Sequence, residues 1–280
     1  MDRMSKPAFI AILDVRAEAS FAAGHAPGAV NIPLEQLAQR VHELPPKGST
    51  VILFDEDSPR LHQAAAALRS RGYPVAEASL SPGDLPEQGP SRARLWQPNP
   101  FLVEALDRIQ AMDRIQALGA AGAPPGRALD LACGAGRDAV YLAMRGYQVD
   151  AIDVLPDALK RAGDLAARCG VHLNLILQDL KRHPVLLAGG YGLVAVFRFL
   201  HRPTLPSIRQ SVAPGGFIVY ETFHWRDRTQ GGKTLKRTHA LHDGELAAAF
   251  DGFEPLIVRD GLQRDGRCLC HLLARRKASP

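Results

Sequence analysis

The sequence predicts an α/β protein made of two domains, and three observations support this prediction. The length of 280 residues is sufficient for two hydrophobic cores. Short apolar strands alternate with helical stretches along both parts of the chain. A segment rich in proline and glycine, residues 81–90, separates the two parts. We therefore predict a first domain over residues 1–80, a linker over 81–95 and a second domain over 96–280.

Two apolar runs in the first domain, Ile10 to Val15 and Val51 to Phe54, predict buried parallel strands. An alanine-rich helix is predicted from Gln63 to Arg71, because Gly72 follows it and glycine commonly ends helices.

The second domain shows the alternation of strands and helices that is typical of a doubly wound sheet. The predicted strands cover residues 128–131, 148–154, 173–177, 193–197 and 216–222. The predicted helices cover residues 101–118, 137–145, 158–169, 204–212 and 245–250. Two consecutive strands at the end, 255–259 and 267–274, predict an antiparallel edge on this parallel sheet.

The composition excludes several classes of protein. Apolar residues make up 46% of the chain and charged residues 22%, which is typical of a folded globular protein. No apolar stretch is long enough to span a membrane, and charges near Met1 interrupt any signal peptide, so we expect a cytoplasmic protein without a membrane partner. The four cysteines have neither the density of a disulfide framework nor the spacing of a zinc site, so no metal is expected.

A glycine-rich turn after the first strand of the second domain predicts a cofactor site. Asp130 ends this strand, Gly134 and Gly136 follow it, and Asp153 stands nineteen residues after Gly134 at the end of the next strand. Asp179 follows the third strand. Glycines allow close approach of the backbone to a ligand, and a carboxylate after the second strand can accept ribose hydroxyls. The same spacing also fits a dinucleotide-binding turn.

Charge separates these two cofactors. Asp130 and Asp138 flank the turn and would repel a pyrophosphate, which favours bare N–H groups at a helix start. S-adenosylmethionine (SAM) instead carries an ammonium and a sulfonium group, which nearby carboxylates attract. The sequence therefore favours SAM over NAD.

Several segments of the second domain resemble the tellurite-resistance and thiopurine group of class I SAM-dependent methyltransferases. They cover residues 129–138, 141–143, 146–153, 213–216 and 243–246. The resemblance implies a Rossmann-like, seven-stranded methyltransferase domain. It also implies that nine residues contact SAM, the last two of them in the segment after the fourth strand. They are Asp130, Gly134, Gly136, Arg137, Asp153, Asp179, Leu180, Phe197 and Arg198.

Methyl transfer needs little more than alignment of donor and acceptor, because the sulfonium is already a strong methyl donor. His201, Tyr220 and His224 stand at the ends of the fourth and fifth strands, where the acceptor should bind. Each is a weak candidate for a base or orienting group, and a hydrogen-bonding or packing role is the more common one for such residues.

The net charge of +5 belongs to the second domain, and residues 226–237 contain five basic residues and one acidic residue. We interpret this segment as a loop that attracts a small anionic acceptor, such as a thiol or related chalcogen compound. Two alternatives stay open: an RNA methyltransferase that uses this basic loop and the tail Arg275 to Lys277, and a SAM-binding regulatory protein without turnover.

The first domain closely resembles the rhodanese homology domain over Ala8 to Leu80, through Ile12 to Arg16, Gly24 to Ala29 and Asn31 to Pro33. Active members carry a nucleophilic cysteine directly after the strand that ends here at Phe54. Asp55 occupies that position, followed by two more acidic residues, so we predict a catalytically inactive domain. Protein contact, dimerisation and simple support remain open as its role.

Overall fold

The computed structural model describes residues 10–78, 85–116, 126–186, 189–227, 229–230, 233–234, 237–262 and 267–278. The chain forms two compact units, Met1–Gln97 and Pro98–Pro280. Within the described ranges, no helix has the length and apolar character that crossing a bilayer requires.

The first unit contains a four-stranded parallel sheet with the order β2-β1-β3-β4. Its elements are β1 (Ile10–Asp14), α1 (Glu18–Ala23), β2 (Val30–Asn31), β3 (Thr50–Phe54), α2 (Ser58–Arg69) and β4 (Val75–Ala78). Helix α2 begins five residues before the predicted start. The Asp57 side chain accepts a hydrogen bond from the Arg60 N–H, and Pro59 fits the first turn, so these residues favour the earlier start.

The described residues between the predicted domains are attached to the first unit. His25 and Glu87 form an antiparallel bridge, with the His25 N–H donating to the Glu87 carbonyl oxygen at 2.9 Å. Leu95 is buried and packs into the core of this unit beside Leu13 and Leu53. The boundary between the units thus falls after Gln97.

The second unit contains a seven-stranded sheet with the order β7-β6-β5-β8-β9-β13-β12. Its strands are β5 (Arg127–Leu131), β6 (Gln148–Asp153), β7 (Asn174–Leu177), β8 (Tyr191–Phe197), β9 (Val212–Phe223), β10 (Thr229–Gln230), β11 (Lys233–Thr234), β12 (Phe253–Leu262) and β13 (Cys268–Arg276). Its helices are α3 (Pro100–Gln116), α4 (Arg137–Met144), α5 (Pro156–Arg168), α6 (Leu205–Ser211) and α7 (Glu245–Ala249). Strands β10 and β11 pair separately from the large sheet.

This arrangement confirms the predicted fold class. The five neighbouring strands β7, β6, β5, β8 and β9 are parallel to one another. Strand β13 is antiparallel to both of its neighbours, β9 and β12. The last strand therefore lies inside the sheet, and β12 forms the edge. One large core joins the sheet to α6 and α7 through buried residues that include Leu129, Val194, Ile208, Tyr220 and Leu246.

The topology places a crevice at the carboxyl end of β5. After β5 the chain adds β6 and β7 on one side, and it then returns to add β8 and β9 on the other. Ligands of doubly wound sheets bind where the strand order reverses in this way. The residues that follow β5, β6 and β8 are therefore the first place to look for a site.

Candidate functional site

The turn after β5 has an unusual backbone. Ala132, Gly134 and Gly136 all have positive φ angles, of 59°, 57° and 77°. The Gly136 N–H donates to the Cys133 carbonyl oxygen at 3.0 Å, which closes the turn before α4 begins. A left-handed residue with a Cβ, such as Ala132, costs about 1 kcal/mol or more, and such strain concentrates at functional sites.

The two glycines of this turn have different surroundings. A Cβ atom at Gly136 would lie 2.5 Å from the Cβ of Ala162 in α5, so this glycine allows α4 and α5 to pack closely. A Cβ atom at Gly134 would meet no atom within 4 Å. The backbone at Gly134 thus borders open space, as a site for a ligand that approaches the main chain requires.

Asp153 ends β6 beside this turn. Its Oδ2 accepts a hydrogen bond from the Gly134 N–H at 2.8 Å, and its Oδ1 accepts one from the Leu155 N–H at 2.9 Å. The carboxylate is buried and holds the turns after β5 and β6 together. Val154 and Leu155, directly after it, are about half exposed and offer an apolar surface at the same edge.

Asp130 is the least satisfied polar group of the site. It is 2% exposed, and its Oδ2 has no hydrogen-bond partner among the described residues. Burial raises the pKa of Asp130 well above its usual range, and the nearby carboxylates of Asp138 and Asp153 add to this effect. A cation that binds beside this carboxylate would stabilise its charged form.

Asp138 lies in the first turn of α4, close to Asp130. Burial raises its pKa to about 6, although the N–H of Asn99 and the charge of Arg137 act in the opposite direction. Two carboxyl groups, Asp130 in β5 and Asp138 in α4, thus have destabilised charged forms. Arg137 itself is exposed at the start of α4.

The residues after β7 contribute in two ways. Asp179 is partly exposed, and its Oδ1 accepts a hydrogen bond from the Lys181 N–H at 2.9 Å, which lowers its pKa. The Leu180 side chain is buried in the core, so only its backbone is open to a polar role. Its carbonyl oxygen accepts a hydrogen bond from the Thr204 hydroxyl at 3.1 Å.

Arg198 follows Phe197 at the end of β8 and has a positive φ of 55°. Its N–H donates to the Glu221 carbonyl oxygen at 2.8 Å, which fixes this conformation. Its guanidinium is about half exposed, and Nε lies 3.9 Å from Oε1 of Glu221. Arg198 therefore lies beside the carboxylates at this edge.

The corresponding loop in the first unit follows β3. Oδ1 of the buried Asp55 accepts a hydrogen bond from the Asp57 N–H at 2.9 Å, and Oδ2 accepts one from Nε of Arg60 at 3.2 Å. Glu56 forms an ion pair with the buried Arg16 at 2.7 Å. The Asp55 carboxylate thus accepts hydrogen bonds from a backbone N–H and an arginine, and these donors would otherwise be available to an external anion.

Comparison with known proteins identifies both units. Residues 1–83 match the family described as "Rhodanese-like domain", and residues 128–216 match the family described as "Methyltransferase domain". The chain therefore carries a rhodanese-like domain followed by a methyltransferase domain. The resemblance that the sequence motifs indicated is confirmed for both parts.

Two relatives align with the chain. "Uncharacterized protein UNK4.09" of Schizosaccharomyces pombe is 25% identical over 330 residues, which cover 95% of this chain and 94% of the relative. "Hemagglutinin 1" of Eikenella corrodens is 33% identical over 100 residues, or 33% of each protein. The first of these alignments spans both domains.

Solved structures similar to the chain include three bacterial proteins. TehB of Haemophilus influenzae has a TM-score of 0.49 and 17% identity, over 62% of each chain. A SAM-dependent methyltransferase of Clostridium acetobutylicum has a TM-score of 0.49 and 11% identity, over 64% of this chain and 92% of that one. Magnesium protoporphyrin IX methyltransferase of Synechocystis has a TM-score of 0.47 and 15% identity, over 63% and 83%.

The three residues predicted as weak catalytic candidates lie in different environments. The Tyr220 hydroxyl is buried and donates to the Phe199 carbonyl oxygen at 2.9 Å, and burial raises its pKa. His224 is fully buried, with Nε2 3.2 Å from Oδ1 of Asp243 and Nδ1 3.3 Å from Sγ of Cys268. Both side chains thus make packing and hydrogen-bonding contacts in the methyltransferase domain.

His201 is partly exposed near the end of β8, and its contacts define its tautomer. The Thr204 hydroxyl gives its single proton to the Leu180 carbonyl oxygen, so it accepts a hydrogen bond from Nδ1–H of His201 at 2.8 Å. The lone pair of the neutral imidazole is then on Nε2.

Sequence reasoning missed Asn99, Glu221 and His271. Glu221 is buried in β9 between Asn99 and His271, and both hydrogen-bond its carboxylate. An acidic residue inside an apolar strand was the available signal for Glu221. Asn99 carried no signal, because it lies 122 residues from its partner.

Most side chains of the predicted basic loop lie outside the part of the chain that the structure describes. The side chains of Arg228, Lys233, Lys236 and Arg237 are among those that the structure does not describe. Arg226 is described, and it forms an ion pair with Asp243 at 3.3 Å.

Proposed function

We propose that the methyltransferase domain takes its methyl group from SAM. The single observation that carries this proposal is the buried Asp130 carboxylate, whose Oδ2 has no hydrogen-bond partner among the described residues, near the open space at Gly134. A cationic cofactor that approaches the backbone closely fits both features. NAD fits neither, because its pyrophosphate would meet Asp130, Asp138 and Asp153.

The residues around the turn would hold the cofactor in a defined order. Asp153, at the end of β6, would accept hydrogen bonds from the ribose hydroxyls, and Asp179 would accept one from the adenine amino group. Val154 and Leu155 provide the apolar surface that an adenine ring requires. SAM would supply an activated methyl group, while these side chains orient it and the core beneath excludes water.

We propose a small thiol, a related chalcogen compound or another anionic molecule as the methyl acceptor. Arg198 supports this choice, because its half-exposed guanidinium lies at the end of β8, with Nε 3.9 Å from Oε1 of Glu221. His201 supports it as well, since its Nε2 lone pair would accept the proton of a thiol during transfer.

Replacing His201 by Gln tests this role. A general base contributes about 100-fold or more to a rate, so we expect kcat with a thiol acceptor to fall by about that factor at pH 7. The KM for SAM should stay unchanged, and activity should recover at high pH, where the acceptor ionises by itself. An unchanged kcat would remove His201 from the mechanism.

The function itself is tested in two steps. Calorimetry should show binding of SAM and S-adenosylhomocysteine and no binding of NAD. Labelled SAM should then be offered with a panel of small thiols, inorganic oxyanions and bulk tRNA. Transfer to a small thiol or anion would support the proposal. Transfer to tRNA would instead identify RNA as the acceptor, and binding without any transfer would indicate a regulatory protein.

A further inference from the structure

A cysteine, a histidine and an aspartate lie in contact near the start of β13, which β8 and β9 separate from β5 in the sheet. Sγ of Cys268 lies 3.3 Å from Nδ1 of His224, and Nε2 of the same ring lies 3.2 Å from Oδ1 of Asp243. Cys268 is the first residue of β13, and His224 directly follows β9. A nucleophile, a base beside it and an acidic group that orients the base are the parts of a catalytic triad.

The contacts of His224 define its tautomer. The Arg226 N–H donates to Nδ1 at 3.3 Å, so Nδ1 carries the lone pair and the ring proton is on Nε2. Nε2–H then donates to Asp243, whose Oδ2 forms an ion pair with Arg226. The lone pair of Nδ1 therefore faces the Cys268 thiol and can accept its proton.

The position of the thiol limits what can react with it. Cys268 is 7% exposed and His224 is fully buried. However, Cys268 belongs to the last register pair of β12 and β13, and its partner in that pair, Leu262, is exposed. Asp243 is also half exposed, so a proton on the imidazole has a short path to solvent. A bulky substrate would not reach Sγ, whereas a reagent little larger than water can reach it through a small local opening.

Burial raises the pKa of Cys268, and the carboxylates of Asp227 and Asp243 add to this effect. The thiol is therefore protonated at rest, and its attack on an electrophile requires a base that removes the proton as the new bond forms. Cys270, two residues further along the same face of β13, provides a comparison. Burial also raises the pKa of Cys270, and Asp260, directly opposite on β12, raises it further.

We propose that Cys268 is a peroxide-reactive thiol, served by His224 as its base, which a hydroperoxide oxidises to a sulfenic acid. The sulfur attacks the terminal oxygen of the hydroperoxide while Nδ1 of His224 takes the thiol proton. The O–O bond breaks, and the imidazolium returns this proton to the departing oxygen, which leaves as water or an alcohol. The sulfur is thereby oxidised and the peroxide reduced. Asp243 is a positioning residue that holds the imidazole with its proton on Nε2. The methyl donor takes no part in this reaction.

The test follows each cysteine separately in the full-length chain. Hydrogen peroxide is added for a set time, and catalase then stops the reaction. The chain is unfolded in dimedone, which labels sulfenic acids, and mass spectrometry measures the label at each cysteine. Cys268 should be oxidised at least about 100-fold faster than Cys270, which is the scale of general-base catalysis.

Three variants make the result specific. His224→Asn should lower the oxidation rate of Cys268 by about 100-fold, and Asp243→Asn by about tenfold. Asp164→Asn removes an exposed carboxylate of α5, which packs beside β6 and β7, and should leave the rate unchanged. Thermal unfolding checks that each variant is folded. Because Asp243 is half exposed, Asp243→Asn provides the test if His224→Asn does not fold.

The rate at Cys270 separates a base from a residue that only supports the fold. A variant that merely loosens this region exposes both thiols and speeds the oxidation of both, whereas loss of the base slows Cys268 alone. Faster oxidation of both cysteines in the variants would therefore overturn the proposal. Equal rates at Cys268 and Cys270 in the unmodified chain, or no oxidation of Cys268, would also overturn it. No methyl donor is present in this assay, so its outcome is independent of the proposed function.

Discussion

Individual carboxylates at the strand ends of the methyltransferase domain differ in their state because their neighbours differ. The Asp153 carboxylate accepts hydrogen bonds from two backbone N–H groups, whereas Asp130 keeps one buried oxygen without a partner among the described residues. Asp138 has a pKa of about 6, and Glu221 is held ionised by His271 and Asn99. Four similar side chains at one edge of the sheet therefore differ in pKa and in their hydrogen bonds.

Removing the Asp153 carboxylate should weaken donor binding. Asp153→Ala deletes a charged acceptor at the end of β6, so SAM and S-adenosylhomocysteine should bind more weakly by about 1.5–3 kcal/mol. Calorimetry measures the change, with Asp164→Asn as the matched control. Undiminished binding in Asp153→Ala would contradict the site.

The affinity for SAM should depend on pH through Asp138. A bound cation favours the ionised carboxylate, so below its pKa of about 6 each binding event must release a proton. Affinity should therefore fall as pH drops through 6, by up to about tenfold per unit. Burial also raises the pKa of Asp130. Titrations at pH 5.5 in two buffers of different ionisation enthalpy count the released protons, and Asp138→Asn should reduce that number.

At the scale of an element, the two glycines of the turn between β5 and α4 have different surroundings. Gly136 touches α5, where Ala162 leaves no room for a Cβ, whereas Gly134 faces open space. Both residues have left-handed backbones, so both substitutions carry a similar conformational cost. Their surroundings decide what else is lost.

The pair Gly134→Ala and Gly136→Ala should therefore behave differently. Gly136→Ala combines a left-handed alanine with a steric clash and should lower the free energy of unfolding by about 2–4 kcal/mol. Gly134→Ala should cost only about 1 kcal/mol in stability, yet weaken SAM binding by at least about tenfold, since its methyl group enters the open space. Denaturant unfolding and calorimetry on both variants provide the comparison, and normal SAM binding by Gly134→Ala would place the donor elsewhere.

At the scale of the whole molecule, a methyltransferase domain is joined to a rhodanese-like domain. In the loop after β3 of that domain, the Asp55 carboxylate is hydrogen-bonded to neighbouring residues. Asp55 accepts hydrogen bonds from Asp57 and Arg60, so the donors of this loop are engaged internally. Arg60 also binds Glu35, and Arg16 binds Asp14 and Glu56. This network gives the domain a stable loop without a nucleophile. Protein contact, dimerisation and support of the fold remain predictions for its role.

The chain should have no thiosulfate:cyanide sulfurtransferase activity, because position 55 lacks a thiol. Asp55→Cys should stay nearly inactive, since Glu56 and Asp57 would still disfavour a thiolate and an anionic sulfur donor. Thiocyanate formation is the measurement, with the unmodified chain and buffer as references. Activity of the unmodified chain above the buffer value would show that sulfur transfer does not need this position.

The sequence alone determined the fold class and the glycine-rich turn after β5, because both depend on short-range patterns. Apolar runs of strand length, alternating with helices, are visible along the chain, and the glycines after β5 stand beside Asp130. Asp153 was found as well, since parallel strands bring successive carboxyl ends to one edge.

Only the tertiary structure decided which side chains meet across long separations and which are buried. Asn99 and Glu221 are 122 residues apart, and they form a hydrogen bond because α3, which begins directly after Asn99, contacts β9. Tyr220 and His224 had the right places in the sequence, but packing buried them, whereas His201 kept a partly exposed ring. Burial and long-range contacts depend on how the strands are ordered in the sheet, and local sequence patterns carry no record of that order.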